Sequence, residues 1–178
     1  MTIVINMFAG PSAGKTTNAA ELFGYMKRKR YNCEYAPEFA KDLAFNKSNE
    51  IDDQFKVFGN QHQRLYSLYK NVDYIITDSP LFLSVFYCRE MLVKYKDHET
   101  YNHVQDCFVN FVHQVFNMYD NRNFFVERGD REYVQTGRFQ TKEEAVQIDH
   151  RLRMLMTAYK VPFVAIKNTD DIINTLRL

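Results

Sequence analysis

The residues best equipped for chemistry in this chain lie in the run AGPSAGKTT, Ala9 to Thr17, directly after the apolar TIVINMF. Its frame is Ala9, then Gly10-Pro11-Ser12-Ala13, then Gly14-Lys15-Thr16, with alanine where the usual phosphate-cradling pattern has its first glycine. In such a loop the backbone N–H groups of Ser12, Ala13, Gly14, Lys15 and Thr16 curl around a β-phosphate. The N-terminus of the following helix adds partial positive charge. Lys15 has the reach for β- and γ-phosphate oxygens, the Thr16 hydroxyl suits Mg²⁺, and Thr17 falls near the α-phosphate. Alanine at position 9 is tolerable at negative φ, because glycine's advantage lies at positive φ. ATP and Mg²⁺ are the cofactors expected.

A triphosphate site needs a second metal element. YIITDSP supplies one, an apolar strand ending on Asp78, and ligands of parallel sheets bind at the carboxyl ends of the strands. Asp78 also reads as a helix cap, since Pro80 suits a first helical position. A second carboxylate, Glu38 in APEFAKDL, falls just past a strand end at the same sheet edge. It could grip an acceptor hydroxyl and orient it, which matters more in phosphoryl transfer than base strength. Asp42, one helical turn on, could assist, or either acid could solvate a helix N-terminus. ERGDREYVQTGRF carries Arg128, Arg131 and Arg138 and reads as a lid over about residues 128–140. A lid expels water, the rival acceptor, and its arginines offset charge on the transferred group. Arg131 and Arg138 are the catalytic candidates, with a plain surface loop as the alternative.

For the acceptor, Gln61 could pair with a base edge and Phe58 could stack on the ring, although helix surface and core explain them equally well. Arg89 could hold an acceptor phosphate or brace the lid. The histidines show no ligand spacing, and no Ser/His/Asp arrangement is visible.

The elements that must position these residues follow from periodicity. Strands are expected over Thr2 to Phe8, Cys33 to Ala36, Tyr74 to Thr77, Phe124 to Glu127 and Val161 to Lys167. Helices are expected over Lys15 to Arg28, Glu38 to Phe45, Asp52 to Tyr69, Leu81 to Tyr95 and Tyr101 to Tyr119. Another starts after Thr141, where Glu144 completes a capping box, and DDIINTLRL closes the chain as a helix. Short apolar strands alternating with helices mean an α/β fold with a parallel sheet covered on both faces. The chain is expected to form one domain over 1–178, without repeats or linkers.

Formal net charge is +1, too little for a polyanion binder that relies on overall charge. The basic run KRKR, Lys27 to Arg30, suits a helix C-terminus. Three scattered cysteines without a CxxC suggest free thiols and a cytoplasmic location. The apolar start is too short for a signal peptide, and no stretch approaches a membrane span. No feature specifies an oligomeric state.

The runs MFAGPSAGKTT, EYAPEFAKDL, YIITDSPL, REYVQTGRFQTKEEA and VPFVAIKN extend over nearly the whole chain. With them the chain resembles the small P-loop kinases of the nucleoside and nucleotide kinase superfamily. It is closest to the NadR-like AAA-type ATPase/kinase group, which includes nicotinamide riboside kinase domains and many phage proteins. The resemblance implies a P-loop NTPase three-layer sandwich with five parallel strands and a short lid, Mg-ATP, and phosphorylation of a small-molecule nucleoside or nucleotide. It places Lys15 and Thr16 on the nucleotide, Asp78 at the metal, Glu38 at the acceptor and Arg131 or Arg138 in the lid. TDSP lacks the arginine that follows the acid in many deoxynucleoside kinases. The resemblance to phage proteins also admits a hydroxymethylated base in DNA as acceptor, and a host-cytoplasm setting. A non-kinase P-loop ATPase or nucleotide-dependent interaction module is the rival class.

Overall fold

The computed structural model describes residues 2–46, 48, 53–94, 99–129 and 141–178. Its elements are β1 (Ile3–Phe8), α1 (Lys15–Arg28), β2 (Cys33–Ala36), α2 (Phe39–Phe45), α3 (Gln54–Leu68), β3 (Tyr74–Thr77), α4 (Leu83–Lys94), α5 (Glu99–Asn117), β4 (Asp120–Val126), α6 (Lys142–Ala158), β5 (Val164–Ile166) and α7 (Thr169–Leu176). The five strands form one sheet in the order β2-β3-β1-β4-β5, and every pairing is parallel. This is the α/β three-layer sandwich of the P-loop NTPases.

The order follows from short right-handed crossovers. The chain leaves β1 for β2 in one direction, so α1 covers one face, and α7 packs beside it. It then steps back from β2 through β3 to β4 and β5, which puts the connecting helices on the other face. There α3 contacts α4 and α4 contacts α5. Central β1 is sealed from both sides, with Val4, Ile5, Met7 and Phe8 fully buried. Phe8 meets Phe82 and Phe116 edge-on, each with ring centroids 6.5 Å apart.

Several boundaries differ from the sequence expectation for physical reasons. The fourth strand begins at Asp120 instead of Phe124, so it includes the polar DNRN. The neighbouring strand supplies the cause. Buried Asn6 of β1 donates through Nδ2 to Asn121 Oδ1 at 2.7 Å and to Asn123 Oδ1 at 3.0 Å. Asn123 in turn donates to the Pro162 carbonyl, and Asn121 to those of Phe116 and Tyr119. A satisfied amide ladder thus replaces apolar pairing at that end of the sheet. The fifth strand is shorter than expected, at three residues, and its Val164 and Ala165 are exposed, as suits an edge strand.

At the helix ends, Thr141 and Glu144 form the expected capping box on α6. Asn168 and Asp171 form a second one on α7, one residue earlier than expected. Lys27 and Arg28 lie in the last turn of α1, where they complement the helix dipole, and Lys27 pairs with Glu34 at 2.6 Å. No helix among the described residues is long and apolar enough to cross a membrane.

Gly10, at the start of the loop after β1, is a point of close approach. A Cβ there would lie 2.7 Å from the Ala145 carbonyl oxygen, 2.9 Å from Asp149 Oδ1 and 3.2 Å from Ile148 Cγ2. The first of these is backbone and cannot swing aside. Gly10→Ala is expected to destabilise the protein by about 1–3 kcal/mol through overpacking. Each kcal/mol should appear as a fall in melting temperature of about 2–4 °C. Unchanged thermal unfolding in that variant would show that α6 does not press on the loop.

Candidate active site

Three strand ends converge at one edge of the sheet. Asn6, Thr77 and Ala36 share a row across β1, β3 and β2. Asp78 is the next residue after β3, Glu38 lies two residues beyond β2, and β1 runs on two residues before opening into the loop. The connection leaving β1 runs toward β2 and the one leaving its neighbour β3 runs the opposite way toward β4, the reversal at which parallel sheets place a ligand crevice.

The loop conformation explains two of its residues. Gly14 caps α1 at φ 98°, in the left-handed region that glycine enters without Cβ strain. Ser12 enters the same region at φ 61°. Ala9 is not among the described residues with positive φ, so alanine serves in place of the first glycine.

Lys15 folds back across the loop. Its Nζ donates to the Ala9 carbonyl at 2.9 Å and to the Gly10 carbonyl at 3.0 Å. The residue as a whole is partly exposed, but its ammonium is turned into the protein. Burial lowers its pKa below the ordinary lysine value. The charges of Glu38, Asp78 and Asp149 oppose that shift, and Arg128 adds to it. These five side chains form one electrostatic group.

The Thr16 hydroxyl donates to Asp78 Oδ2 at 2.5 Å, across 62 residues of sequence. Asp78 is 1% exposed, and its other oxygen, Oδ1, is buried without a hydrogen-bond partner among the described residues. A buried carboxylate oxygen left this way is costly unless an ion or water engages it. Two hard oxygen donors side by side fit Mg²⁺, which keeps several waters and takes phosphate oxygens to complete its shell. Asp78 does not directly precede a helix. Helix α4 starts only at Leu83, after a turn in which Leu83, Ser84 and Val85 donate to the carbonyls of Pro80, Leu81 and Phe82. The carboxylate is bonded to Thr16 instead.

Glu38 occupies the N-cap position of α2 in extended conformation and makes no side-chain cap hydrogen bond. Two tyrosines missed in the sequence share its field. The Tyr35 hydroxyl is shifted strongly upward by burial and then by Asp78, with Glu38 contributing. Tyr87 is shifted upward by burial and then by Glu38, Asp149 and Glu90. Both phenols therefore remain protonated donors at neutral pH. Tyr35 lies in the strand before APE, and Tyr87 lies on α4 two turns past Pro80; neither position carries a sequence signal.

The acceptor candidates separate. Gln61 is 2% exposed and spends its amide on backbone, accepting from Phe39 N–H at 2.9 Å and donating to the Pro37 carbonyl at 3.2 Å. Those two residues flank Glu38, so Gln61 braces the turn that carries the carboxylate. Phe58 is 4% exposed and belongs to the core. It stacks on His62 and meets Phe108 and Phe111 edge-on, so its ring is enclosed by protein groups. Asp42 is exposed and ion-paired with Arg64 between α2 and α3. Arg89 is exposed and donates to the Tyr159 hydroxyl at 2.6 Å. Thr17 is exposed on the first turn of α1. Arg131 and Arg138, with most of the expected lid, lie outside the described residues.

Arg128, at the root of that segment, is described. Its Nε donates to Asp149 Oδ2 at 2.9 Å, and its Nη2 to the Pro11 carbonyl at 2.8 Å and the Ala145 carbonyl at 3.5 Å. The other oxygen of Asp149 accepts from Gly10 N–H at 2.5 Å. Asp149 was also missed, although it left a trace. It stands beside Ile148 on the helix face that buries Ala145, Ile148 and Leu152, where a carboxylate needs a partner.

Comparison with known proteins agrees with this architecture. The structure of deoxyadenosine kinase from M. mycoides with bound dATP superposes with a TM-score of 0.61 at 20% identity, covering 98% of this chain and 100% of that one. The same enzyme with products dCMP and a flexible dCDP bound gives 0.62 at 16% identity, covering 98% of each chain. At these identities the likeness is one of fold. No curated protein sequence matches the chain. A family match spans the strand, the loop, Asp78, Arg128 and Asp149 together: over residues 4–171 the sequence fits the AAA domain family, and the chain belongs to it.

Proposed function

We propose that this protein is a cytoplasmic ATP-dependent phosphotransferase that moves the γ-phosphate to a nucleoside or nucleotide. The observation that carries this reading is the meeting of three groups at one sheet edge. These are the Lys15 loop, the Thr16–Asp78 oxygen pair, and the Glu38 carboxylate, whose charge acts on Lys15 and on the phenols of Tyr35 and Tyr87. An ATPase needs the first two. The third is what an acceptor hydroxyl requires. The fold shared with a deoxyadenosine kinase supports the same reading, and EYAPEFAKDL supports its narrower NadR-like form. The free cysteines Cys33, Cys88 and Cys107 suit a reducing compartment.

In this mechanism the N–H groups of Ser12 to Thr16 would hold the triphosphate, and Thr16 with Asp78 would hold Mg²⁺. ATP would supply the phosphoryl group and the metal ion would offset its charge. Lys15 exchanges the carbonyls of Ala9 and Gly10 for phosphoryl oxygens and offsets charge as transfer proceeds. Glu38 accepts a hydrogen bond from the acceptor hydroxyl and aims its oxygen in line. Tyr35 and Tyr87 donate to neighbouring oxygens without ionising. Arg131 and Arg138 close over the site, excluding water and adding positive charge to the transition state.

Incubation with γ-labelled ATP, Mg²⁺ and a panel of nucleosides, nucleoside monophosphates, nicotinamide riboside and hydroxymethylated DNA tests the proposal. Label is expected in a free nucleoside or monophosphate. Transfer to DNA alone would move the acceptor class, and label reaching only water with every acceptor present would overturn the kinase reading. Lys15→Ala should cut transfer by about 100-fold or more, as removal of one charge-stabilising donor typically does.

Asp78→Asn keeps the side chain's size and one acceptor for Thr16 but removes the charge. It should raise the Mg²⁺ concentration giving half-maximal rate by about tenfold, a loss of about 1.4 kcal/mol in metal binding. An unchanged Mg²⁺ titration would show that Asp78 serves only the Thr16 hydroxyl.

Gln61→Leu should raise KM for the acceptor more than KM for ATP, because the brace it removes holds the Glu38 turn and not the phosphate loop. Equal effects on both substrates would show that Gln61 merely stabilises the fold.

A further inference from the structure

We infer that Asp149 is a positioning residue for the phosphate loop, holding the Gly10 amide with one carboxylate oxygen and Arg128 with the other. It thereby keeps the start of the loop in shape when Lys15 turns away from it. The inference rests only on the nucleotide-binding part of the function proposed above.

The partners of the first loop residues carry the argument. Four backbone polar groups are engaged in succession. The carbonyls of Ala9 and Gly10 accept from Lys15 Nζ. Gly10 N–H donates to Asp149, and the Pro11 carbonyl accepts from Arg128 Nη2. Two of the four are therefore held by Lys15 and two by the Asp149–Arg128 pair. Two of the three N–H donors of the Lys15 ammonium are on these carbonyls, so a triphosphate that draws the ammonium competes with its hold on the loop. The contacts made by the carboxylate and the guanidinium do not change hands in that competition, because they use other atoms of the loop.

The pair is built for this. Its side chains are each only 15% exposed, so solvent screens the ion pair weakly. Arg128 is anchored a third time on the Ala145 carbonyl of α6. Gly10, lacking a Cβ, lets the helix backbone approach closely enough for Asp149 to reach the amide. Asp149 also contributes to the field that opposes loss of the Lys15 proton. Arg128 begins the segment that carries Arg131 and Arg138, so one carboxylate ties that segment's root and the phosphate loop to α6.

Three measurements on Asp149→Ala, Asp149→Asn, Arg128→Ala and the Asp149→Ala/Arg128→Ala double variant test the assignment. They are the affinity for mant-ATP with Mg²⁺, thermal unfolding without nucleotide, and the ¹⁵N-resolved Gly10 amide resonance. Asp149→Ala should weaken mant-ATP binding by about tenfold, the size of effect expected from losing preorganisation in a binding loop. Asp149→Asn keeps an oxygen for Gly10 and should weaken binding by about threefold, while its Gly10 resonance stays shifted downfield as in the unsubstituted protein. In Asp149→Ala that resonance should move upfield. The double variant should bind no more than about twofold worse than Asp149→Ala, because two residues acting through one contact are not additive.

A lowered melting temperature with mant-ATP affinity unchanged would overturn the inference, leaving Asp149 as a staple of the fold. Losses that multiply in the double variant would overturn it too, since the two residues would then act independently. If the affinity pattern holds while no acceptor is ever phosphorylated, the kinase reading fails and the role of Asp149 stands. An unsubstituted protein that binds no mant-ATP overturns both, and that result is seen before any substitution is made.

Discussion

The structure depends on keeping a lysine ammonium in a desolvated loop at the end of a parallel sheet. Burial pushes Lys15 toward its neutral form, in which it would have little to offer a phosphate. Carboxylates from three separate places oppose that shift: Glu38 beyond β2, Asp78 beyond β3 and Asp149 in α6. None of the three is near Lys15 in sequence. The charge on which the site relies is thus maintained by the whole α/β arrangement, and the sheet order that brings β2, β3 and β1 side by side is part of its electrostatics.

Each carboxylate then has a second task that the first makes affordable. Asp78 binds the Thr16 hydroxyl, and its other oxygen has no hydrogen-bond partner among the described residues, a donor set suited to a hard cation. Glu38 stands at a helix start without capping it, on a turn braced by Gln61. Asp149 joins the loop to Arg128. Lys15 waits on the carbonyls of its own loop, so ligand binding exchanges one set of hydrogen bonds for another and does not begin from an isolated buried charge.

The remaining polar burial serves position more than chemistry. The ladder from Asn6 through Asn121 and Asn123 to Pro162 pins β4 against β1 in register. That register sets where β4 ends and so where Arg128 emerges. On the other face of the sheet, Asn18 of α1 donates to the Gly14 carbonyl and accepts from Thr169 of α7. The first turn after the phosphate loop is thereby linked to the C-terminal helix. Among the described residues neither network contributes a fully buried side-chain atom without a hydrogen-bond partner, and satisfied buried amides help to specify one arrangement.

The sequence alone determined the periodic and the local. Apolar strands alternating with amphipathic helices determined the parallel sheet. The spacing of Gly14, Lys15 and Thr16 after a strand determined the phosphate loop, and an acid directly after YIIT marked Asp78, because each signal lies within one strand–turn–helix unit. Tertiary structure decided the rest, for reasons of packing and long-range pairing. Gln61 and Phe58 have the right chemistry to recognise a base, but their helix face turns inward, and the amide and ring are spent on Pro37, Phe39 and the core. Asp42 and Arg89 found partners in Arg64 and Tyr159 from other helices. The polar start of β4 became a strand because Asn6, 115 residues from Asn121, offered it hydrogen bonds. Asp149, 139 residues from Gly10, joined the site because a glycine without a side chain let α6 come close. Local pattern records which segment becomes a helix or strand. Which side chains meet depends on how those segments stack, and that is decided only when the chain has folded.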